Sequence, residues 1–192
     1  MGEYMNDFQR EFSPRLGCTR RWEAFQVLAR ALLEKGGPVY IGETGTVRTL
    51  DNWVGDGQST RIWDWIVSRV GGEAFSVDLD PNCTRLALSL CPRVAAFTDD
   101  SIRFLANNHS RLKTLDLLFL DSCDFHPRPH LSELHHVGEL AAAYPYLASG
   151  CLIAVDDCHR PDLGKHTLIK VFFDRVQVMP VHSGYITIWK KP

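Results

Sequence analysis

Carboxylates follow two apolar runs of the sequence, where they could bind a cation or a hydroxyl-bearing ligand. Asp121 comes directly after the run Leu117–Leu120, and Asp156 and Asp157 come directly after the apolar residues 151–155. Apolar runs of this length predict strands that are buried on both faces of a sheet. If the two strands are parallel neighbours, the three carboxylates meet at the carboxyl edge of the sheet, where open α/β folds bind ligands.

Acidic residues also stand at the ends of the earlier apolar runs. Glu43, Asp78 and either Asp99 or Asp100 lie at or just beyond such an end. Asp78 is placed to accept hydrogen bonds from both hydroxyls of a ribose, whereas Asp80, which precedes a proline, is placed to cap the next helix. A helix cap explains one such residue, but acid groups after five successive predicted strands favour a cationic or hydroxyl-rich ligand.

The elements that would position these residues alternate between helix and strand. This alternation predicts an α/β fold with a doubly wound, mostly parallel seven-stranded sheet whose last strand is antiparallel. One domain spans residues 1–192, with residues 1–16 as an amino-terminal arm or short helix. The antiparallel strand belongs to a hairpin predicted for residues 176–181 and 185–189.

Composition narrows the class of protein. The 192 residues are 45% hydrophobic and 23% charged, which is the balance of a globular domain. A net charge of −2 provides no excess of positive charge for a phosphate backbone, so composition does not favour nucleic acid as a partner. The lack of a long apolar segment predicts a soluble, cytoplasmic protein without membrane contact, and six cysteines without a C-x-x-C pair predict free thiols.

A polar insertion, residues 47–54, separates two glycine-containing turns. Trp53 lies within the insertion and is a candidate for contact with a cofactor or substrate. Trp65 has helical spacing from Ile62 and fits the protein core instead. The sequence alone assigns the insertion no role.

Three short motifs together indicate a family. They are Glu43-Thr44-Gly45, continued beyond the insertion by residues 57–60, then Asp78, and then Asp100-Ser101. With these motifs, residues 22–189 resemble the class I S-adenosylmethionine (SAM)-dependent methyltransferases. In that family the acidic residue of the second motif holds the cofactor ribose, and the third motif lies near the adenine. The resemblance implies a Rossmann-like methyltransferase fold and SAM as cofactor, with contacts from Glu43, Gly45, Ser59, Thr60, Asp78, Asp100, Ser101 and Asp121.

The later part of the chain resembles a narrower group. The similarity rests on Leu120-Asp121-Ser122, on the helix with His135-His136 and Glu139, and on residues 150–157. These are most similar to the small-molecule methyltransferases related to catechol O-methyltransferase. The likeness implies that Asp121, Asp156 and Asp157 bind Mg²⁺, a hard cation that suits oxygen ligands. That group has a lysine base three residues after the first metal aspartate, where this chain has Asp124.

Methyl transfer from a sulfonium is an in-line displacement, so the protein mainly aligns the reactants and deprotonates a hydroxyl nucleophile. The candidate bases are Asp124, His126 and His159, each of which is close in sequence to a predicted metal ligand. A bound metal would assist by lowering the pKa of the substrate hydroxyl.

These observations predict a SAM-dependent methyltransferase that uses Mg²⁺ to O-methylate a small hydroxylated molecule, such as a sugar or phenol. A second hypothesis keeps the cofactor without the metal: Asp121 holds the cofactor amino group, Asp156 and Asp157 position the substrate, and the nucleophile is nitrogen or oxygen. A third hypothesis is a non-catalytic binding or assembly protein, supported by the interrupted first motif and the missing lysine. The terminal strand pair could also mediate a homodimer.

Overall fold

The computed structural model describes residues 2–192 and shows one six-stranded sheet. The strands are β1 (Val39–Thr44), β2 (Gly72–Asp78), β3 (Val94–Thr98), β4 (Leu117–Leu120), β5 (Leu152–Val155) and β6 (Thr187–Lys190). Their order is β3-β2-β1-β4-β5-β6, and all neighbours are parallel except β5 and β6. The predicted α/β fold, with a mostly parallel sheet and an antiparallel last strand, is therefore confirmed.

Helices cover both faces of the sheet. They are α1 (Gly2–Leu16), α2 (Trp22–Leu33), α3 (Trp53–Asp56), α4 (Ser59–Val70), α5 (Pro81–Leu90), α6 (Ser101–Asn107), α7 (His109–Leu112), α8 (Pro129–Ala143) and α9 (Thr167–Arg175). Helices α1, α2 and α4 pack on one face around Phe25, Trp63 and Phe119. Helices α6, α8 and α9 pack on the other face around Ile153 and Phe173. Each face thus has its own apolar core.

Residues 2–16 form a packed helix rather than an arm. Met5, Phe8, Phe12 and Leu16 recur every three or four residues, and all four side chains are buried. This spacing gives α1 one apolar stripe, which fixes it on the core. The short connection between α1 and α2 is thereby held against the sheet, where it contributes Arg21 to the candidate site.

Residues 176–181 do not form the predicted strand. Val176 is the residue that ends α9, and Pro180 has no N–H to donate to a strand ladder. The segment meets β6 just at its end, where Val181 N donates to Ile188 O at 2.8 Å beside an isolated bridge between His182 and Ile188. The prediction of a seventh strand is wrong, and the strand pair that could mediate a homodimer is absent from residues 2–192. The homodimer itself stays a prediction.

All six cysteines are free thiols, as predicted. Burial raises the pKa of Cys91, Cys151 and Cys158 to about 12, so these thiols are unreactive at neutral pH. Within residues 2–192, no helix is both long enough and apolar enough to cross a lipid bilayer.

Candidate active site

Asp121, Asp156 and Asp157 lie together at the carboxyl edge of the sheet, and we call them the carboxylate cluster. Strands β4 and β5 pair in parallel with Leu117 opposite Leu152, which places the residues after both strands side by side. Asp157 has a φ of 52°, a left-handed conformation that aspartate tolerates better than most residues. Sparsely populated backbone conformations of this kind concentrate at functional sites.

A buried lysine bridges two members of the cluster. Lys165 is 1% exposed, and its Nζ lies 2.5 Å from Asp121 Oδ1 and 3.0 Å from Asp157 Oδ2. Burial alone would lower the pKa of Lys165, but the neighbouring carboxylates raise it, so the side chain stays charged. The preceding residue, Gly164, permits this approach, because a Cβ there would lie 2.6 Å from the Asp157 carbonyl oxygen.

A buried arginine binds the other side of the cluster. Arg21 Nε donates to Asp156 Oδ2 at 2.7 Å, and its Nη2 donates to Asp157 Oδ1 at 3.1 Å. Its Nη1 donates to the carbonyl oxygens of Val54 and Gly55 at 3.3 and 3.1 Å. One guanidinium therefore joins the segment before α2, the end of the insertion and the end of β5.

The protonation of the cluster follows from these contacts. Burial raises the pKa of Asp121 and Asp156. Burial also acts on Asp157, but the charge of Lys165 and a 2.6 Å hydrogen bond from Tyr185 Oη outweigh it and lower the pKa of Asp157 to about 2. Three carboxylates paired with two cations leave one formal negative charge, so uptake of one proton would neutralise the cluster.

The cluster does not fit the predicted Mg²⁺ site. Lys165 and Arg21 bind one carboxylate oxygen of Asp121, one of Asp156 and both of Asp157, so a divalent cation would have to compete with two cations that the fold holds in place. Residues 2–192 contain no group of three or more His, Cys, Asp or Glu side chains that could hold a metal ion. The structure thus brings the three predicted ligands together but pairs them with two fixed cations, and it does not support their assignment as metal ligands.

A groove with acidic walls runs along the same edge. A cavity of about 250 Å³ is lined by residues that include Asp78, Asp99, Asp100, Ser101 and His135. A narrower space of about 20 Å³ is lined by residues that include Gly45, Arg48, Asp56, Ser59 and Asp121. Both are also lined by Asp78 and Ser122, so they form one continuous site, which we call the acidic groove.

Asp80 caps a helix, as predicted, whereas Asp78 makes different contacts. Asp80 caps α5 by accepting a hydrogen bond from Asn82 N at 2.8 Å. Asp78 caps no helix: its Oδ2 accepts from Thr46 N at 3.2 Å and its Oδ1 accepts from Asp80 N at 2.8 Å. Burial raises the pKa of Asp78. Its carboxylate therefore lines the groove and also holds the turn after β1.

Gly45 forms that turn at a point of close backbone approach. It has a φ of 79°, and a Cβ there would lie 2.4 Å from the Asp121 carbonyl oxygen. Only glycine satisfies both conditions without strain. The ends of β1 and β4 are therefore in direct contact.

Glu43 and Thr60 lie beneath the groove, where they hold the insertion onto β1. Glu43 is 1% exposed and accepts hydrogen bonds from Thr60 Oγ1 at 2.7 Å and Trp63 Nε1 at 2.8 Å. Burial raises its pKa to about 7. Thr60 Oγ1 also accepts a hydrogen bond from Val47 N at 3.0 Å. Cofactor contacts from Glu43 and Thr60 stay predictions, whereas Ser59 and Gly45 do line the groove.

The insertion closes over the narrow end of the groove. Arg48 Nη1 binds Asp124 Oδ1 at 2.9 Å, and Arg48 Nη2 lies 3.5 Å from Asp56 Oδ1. The ion pair with Asp124 joins the insertion to the loop after β4. Trp53 is buried against Phe12 of α1 and does not line the groove, and its contact with a ligand stays a prediction.

The three predicted bases lie in different environments. The carboxylate of Asp124 is 56% exposed and bound by Arg48. His126 is exposed, with its ring centroid 5.7 Å from that of His159. Arg20 Nη2 lies 3.4 Å from His159 Nδ1, and because arginine only donates, the neutral His159 ring carries its proton on Nε2. In this arrangement His159 is a hydrogen-bond donor rather than a base.

Sequence reasoning missed Arg21, Lys165 and Tyr185. Arg21 and Tyr185 lie far from Asp157 along the chain, and no spacing rule joins them. Lys165 follows a glycine just before α9, which is a helix-start signal and not evidence of a buried charge. The excess of carboxylates over nearby cations at the predicted edge was the one available signal that partners were missing.

No model of a known protein family matches the sequence, and no curated protein matches it. Solved structures do match. MycE, a methyltransferase from the mycinamycin biosynthetic pathway in complex with Mg, SAH and mycinamycin VI, is 16% identical with a TM-score of 0.67, covering 98% of this chain and 53% of MycE. The chain thus spans about half the length of the MycE structures, 53 to 55%.

Two shorter proteins are also similar. CalS11, a TDP-rhamnose 3'-O-methyltransferase of calicheamicin biosynthesis, is 16% identical with a TM-score of 0.58, covering 88% of this chain and 77% of CalS11. The O-methyltransferase NovP is 13% identical with a TM-score of 0.57, covering 90% of this chain and 79% of NovP. At these identities the likeness establishes the fold, which the chain shares with methyltransferases. The narrower resemblance to catechol O-methyltransferase stays a prediction.

Proposed function

We propose that this chain is a SAM-dependent O-methyltransferase that acts on a hydroxyl of a small molecule without a divalent metal. The observation that carries the proposal is the acidic groove. It lies at the carboxyl edge of a fold shared with MycE, whose structure contains SAH. Its aspartates suit a ligand that has both a positive charge and hydroxyl groups.

The groove residues divide the work of holding the cofactor. Asp78 accepts hydrogen bonds from the ribose hydroxyls, Asp100 and Ser101 line the adenine end, and the Gly45 turn lets the backbone approach the methionine end. SAM, when bound, supplies a methyl group on a positively charged sulfur. The negative lining of the groove favours that charge.

Asp121 is the best-placed base. Its Oδ1 binds Lys165, whereas its Oδ2 makes no hydrogen bond to residues 2–192, and its side chain lines the narrow end of the groove. Burial raises the pKa of Asp121, which suits a carboxylate that must accept a proton from a hydroxyl. The Lys165 ammonium stabilises negative charge that develops on the substrate oxygen.

Lys165 and Arg21 take the place of a metal in this proposal. The MycE structure contains Mg, but here the two side chains already bind all three carboxylates of the cluster. Because a cation within the chain does not dissociate, we expect cofactor binding and turnover to be independent of added Mg²⁺.

Calorimetric titration of SAM and SAH tests the proposal, with Mg²⁺ added or with a chelator present. We expect binding that neither condition changes, and binding at least about tenfold weaker in Asp78→Asn, because a charge-assisted hydrogen bond is lost. Asp7→Asn, on the surface of α1, is the matched control and should bind like the wild type. The absence of binding to both ligands would sink the methyltransferase assignment, and a requirement for Mg²⁺ would sink its metal-free form.

One observation favours a second candidate, a non-catalytic binding protein. The narrow end of the groove holds only about 20 Å³, so the methionine end of SAM fits only if residues 47–54 move. If the insertion stays closed, the same titration will detect no binding of SAM.

A further inference from the structure

A second cavity, of about 310 Å³, lies between the segment after β5 and the segment that leads into β6. Its volume is within the range of small-molecule sites. The charged and titratable side chains that line it are Arg20, Arg160, Lys170, His159 and His166, together with Tyr185 and Cys158. No aspartate or glutamate of residues 2–192 lines it, although the chain as a whole has a net charge of −2. We call it the basic cavity.

Three buried nitrogen atoms in this lining have no hydrogen-bond partner within residues 2–192. They are Trp189 Nε1, His166 Nδ1 and His159 Nε2. Trp189 is 1% exposed and His166 is 2% exposed, and both side chains line the cavity. A buried polar group without a partner costs about 1–3 kcal/mol, which a ligand acceptor would recover. The Trp189 indole can only donate, and the contact with Arg20 makes His159 Nε2 a donor as well.

Arg20 supplies an available positive charge. Its guanidinium lies 4.0 Å from the centroid of the Tyr185 ring and forms no ion pair with a carboxylate of residues 2–192. The other two cations of the lining have carboxylate partners. Lys170 lies 2.5 Å from Asp174, and Arg160 lies 3.9 Å from Asp162. Both pairs are weakened by exposure to water. One free cation and two unpartnered donors form a built site for an anion.

The basic cavity adjoins the carboxylate cluster. Tyr185 lines the cavity with its ring and donates its hydroxyl hydrogen to Asp157, which in turn binds Lys165. Tyr185, Asp157 and Lys165 thus connect the cavity to the candidate base Asp121. The prolines 161 and 180 add apolar walls that suit a ring.

We infer that the basic cavity binds the oxyanion of the methyl acceptor, a phosphate ester or a carboxylate, through Arg20, Trp189 and His159. This inference rests on the proposed methyltransferase function and defines its substrate as a small, ring-containing, anionic molecule. The acidic groove then holds the cationic cofactor, and the anion anchors the acceptor on the other side of the carboxylate cluster.

Calorimetric titration of the full chain with phenyl phosphate, benzoate and phenol tests the inference. We expect at least one of the two anions to bind about tenfold tighter than neutral phenol, as a charge-assisted contact requires. Preference for phenyl phosphate would assign the site to a phosphate ester, and preference for benzoate would assign it to a carboxylate. Equal binding of all three compounds, or no binding of either anion, would overturn the inference.

Two variants identify the residues that bind the anion. Arg20→Gln should weaken binding of the preferred anion about tenfold, while Arg85→Gln, an exposed arginine outside the cavity, should not. Trp189→Phe keeps an aromatic ring but removes the indole N–H, and Trp65→Phe is its matched control. Thermal unfolding confirms that each variant is folded. Unchanged affinity in both Arg20→Gln and Trp189→Phe would overturn the inference.

Titration of SAM in the same samples separates this inference from the proposed function. If SAM binds and neither anion does, the methyltransferase proposal survives and the oxyanion site is wrong. If an anion binds and depends on Arg20 while SAM does not bind, the oxyanion site stands and the methyltransferase proposal fails.

Discussion

The acidic groove and the basic cavity lie along one edge of the sheet but have opposite charge. The groove is lined by Asp56, Asp78 and Asp121 among others, whereas no carboxylate of residues 2–192 lines the cavity. Each reaches the carboxylate cluster, the groove through Asp121 and the cavity through Tyr185. A net charge of −2 for the whole chain conceals this separation. It follows that an overall charge that disfavours a polyanionic partner such as nucleic acid is compatible with a small anionic substrate.

The largest effect on stability is expected from removing the charge of Lys165, which binds the carboxylate cluster between the two sites. We expect Lys165→Met to lower the free energy of unfolding by about 3–5 kcal/mol, because Asp121 would lose its cation and Asp157 would keep only Arg21 and Tyr185. The matched control is Lys170→Met, which removes an exposed lysine at the same 2.5 Å distance from a carboxylate. That change should cost less than about 1 kcal/mol. Denaturant unfolding measures both, and equal losses would contradict a role for burial.

The pH dependence of stability tests the protonation of Glu43, which lies beneath the acidic groove. The pKa of Glu43 is raised by burial from 4.5 to about 7, so the protonated side chain stabilises the fold fully below pH 4.5, and this contribution is lost as the pH rises through 7. The isosteric Glu43→Gln lacks this dependence. We expect the stability of the wild type relative to Glu43→Gln to fall by up to roughly 3 kcal/mol over that window. Urea unfolding from pH 4.5 to 8 measures the difference, which should stay constant if Glu43 is ionised throughout.

One substitution in each site sharpens the comparison between them. The acidic groove and the basic cavity share no lining residue, so a substitution in one site should hardly change the binding free energy at the other. Asp78→Asn should weaken SAM about tenfold and leave the affinity for phenyl phosphate or benzoate within about twofold. Arg20→Gln should have the opposite pattern. Calorimetry on both variants checks this, and parallel losses for both ligands would indicate one shared site.

The smallest effect is expected at the ion pair that closes the groove. Asp124→Asn removes the partner of Arg48 and frees the insertion from the loop after β4. Because the carboxylate is 56% exposed, the pair is worth less than about 1 kcal/mol, and opening should strengthen SAM binding by no more than about fivefold. Weaker binding would show that Arg48 and Asp124 hold the groove in its binding conformation.

Local patterns were enough to predict most of the sheet. The runs before Asp121 and Asp156 are apolar and end in carboxylates, so both their strands and their meeting point follow from the sequence. The strand predicted for residues 176–181 does not form, because Pro180 has no N–H to donate and because Gln177 N and Val178 N donate to carbonyl oxygens of α9. Length and spacing thus favour a strand, but competing hydrogen-bond partners decide whether it pairs.

The candidate site was harder to predict because its carboxylates pair with cations from distant parts of the sequence. That Asp121, Asp156 and Asp157 would converge is a property of neighbouring strands. That Lys165 and Arg21 neutralise them depends on where α9 and α2 begin relative to the sheet, which no motif encodes. A resemblance to metal-dependent enzymes therefore predicted that the acids converge, but it gave no sign of the two cations that pair with them.

The contact between Arg21 and Asp156 joins residues 135 positions apart, which constrains the order of events during synthesis. Domains fold as units while the chain emerges from the ribosome at about 5–20 residues per second. For several seconds after Arg21 emerges, its carboxylate partners do not yet exist, and Tyr185 is made later still. An incomplete chain therefore has neither a neutralised cluster nor a completed anion site, so a product truncated before Tyr185 would be inert as well as unstable.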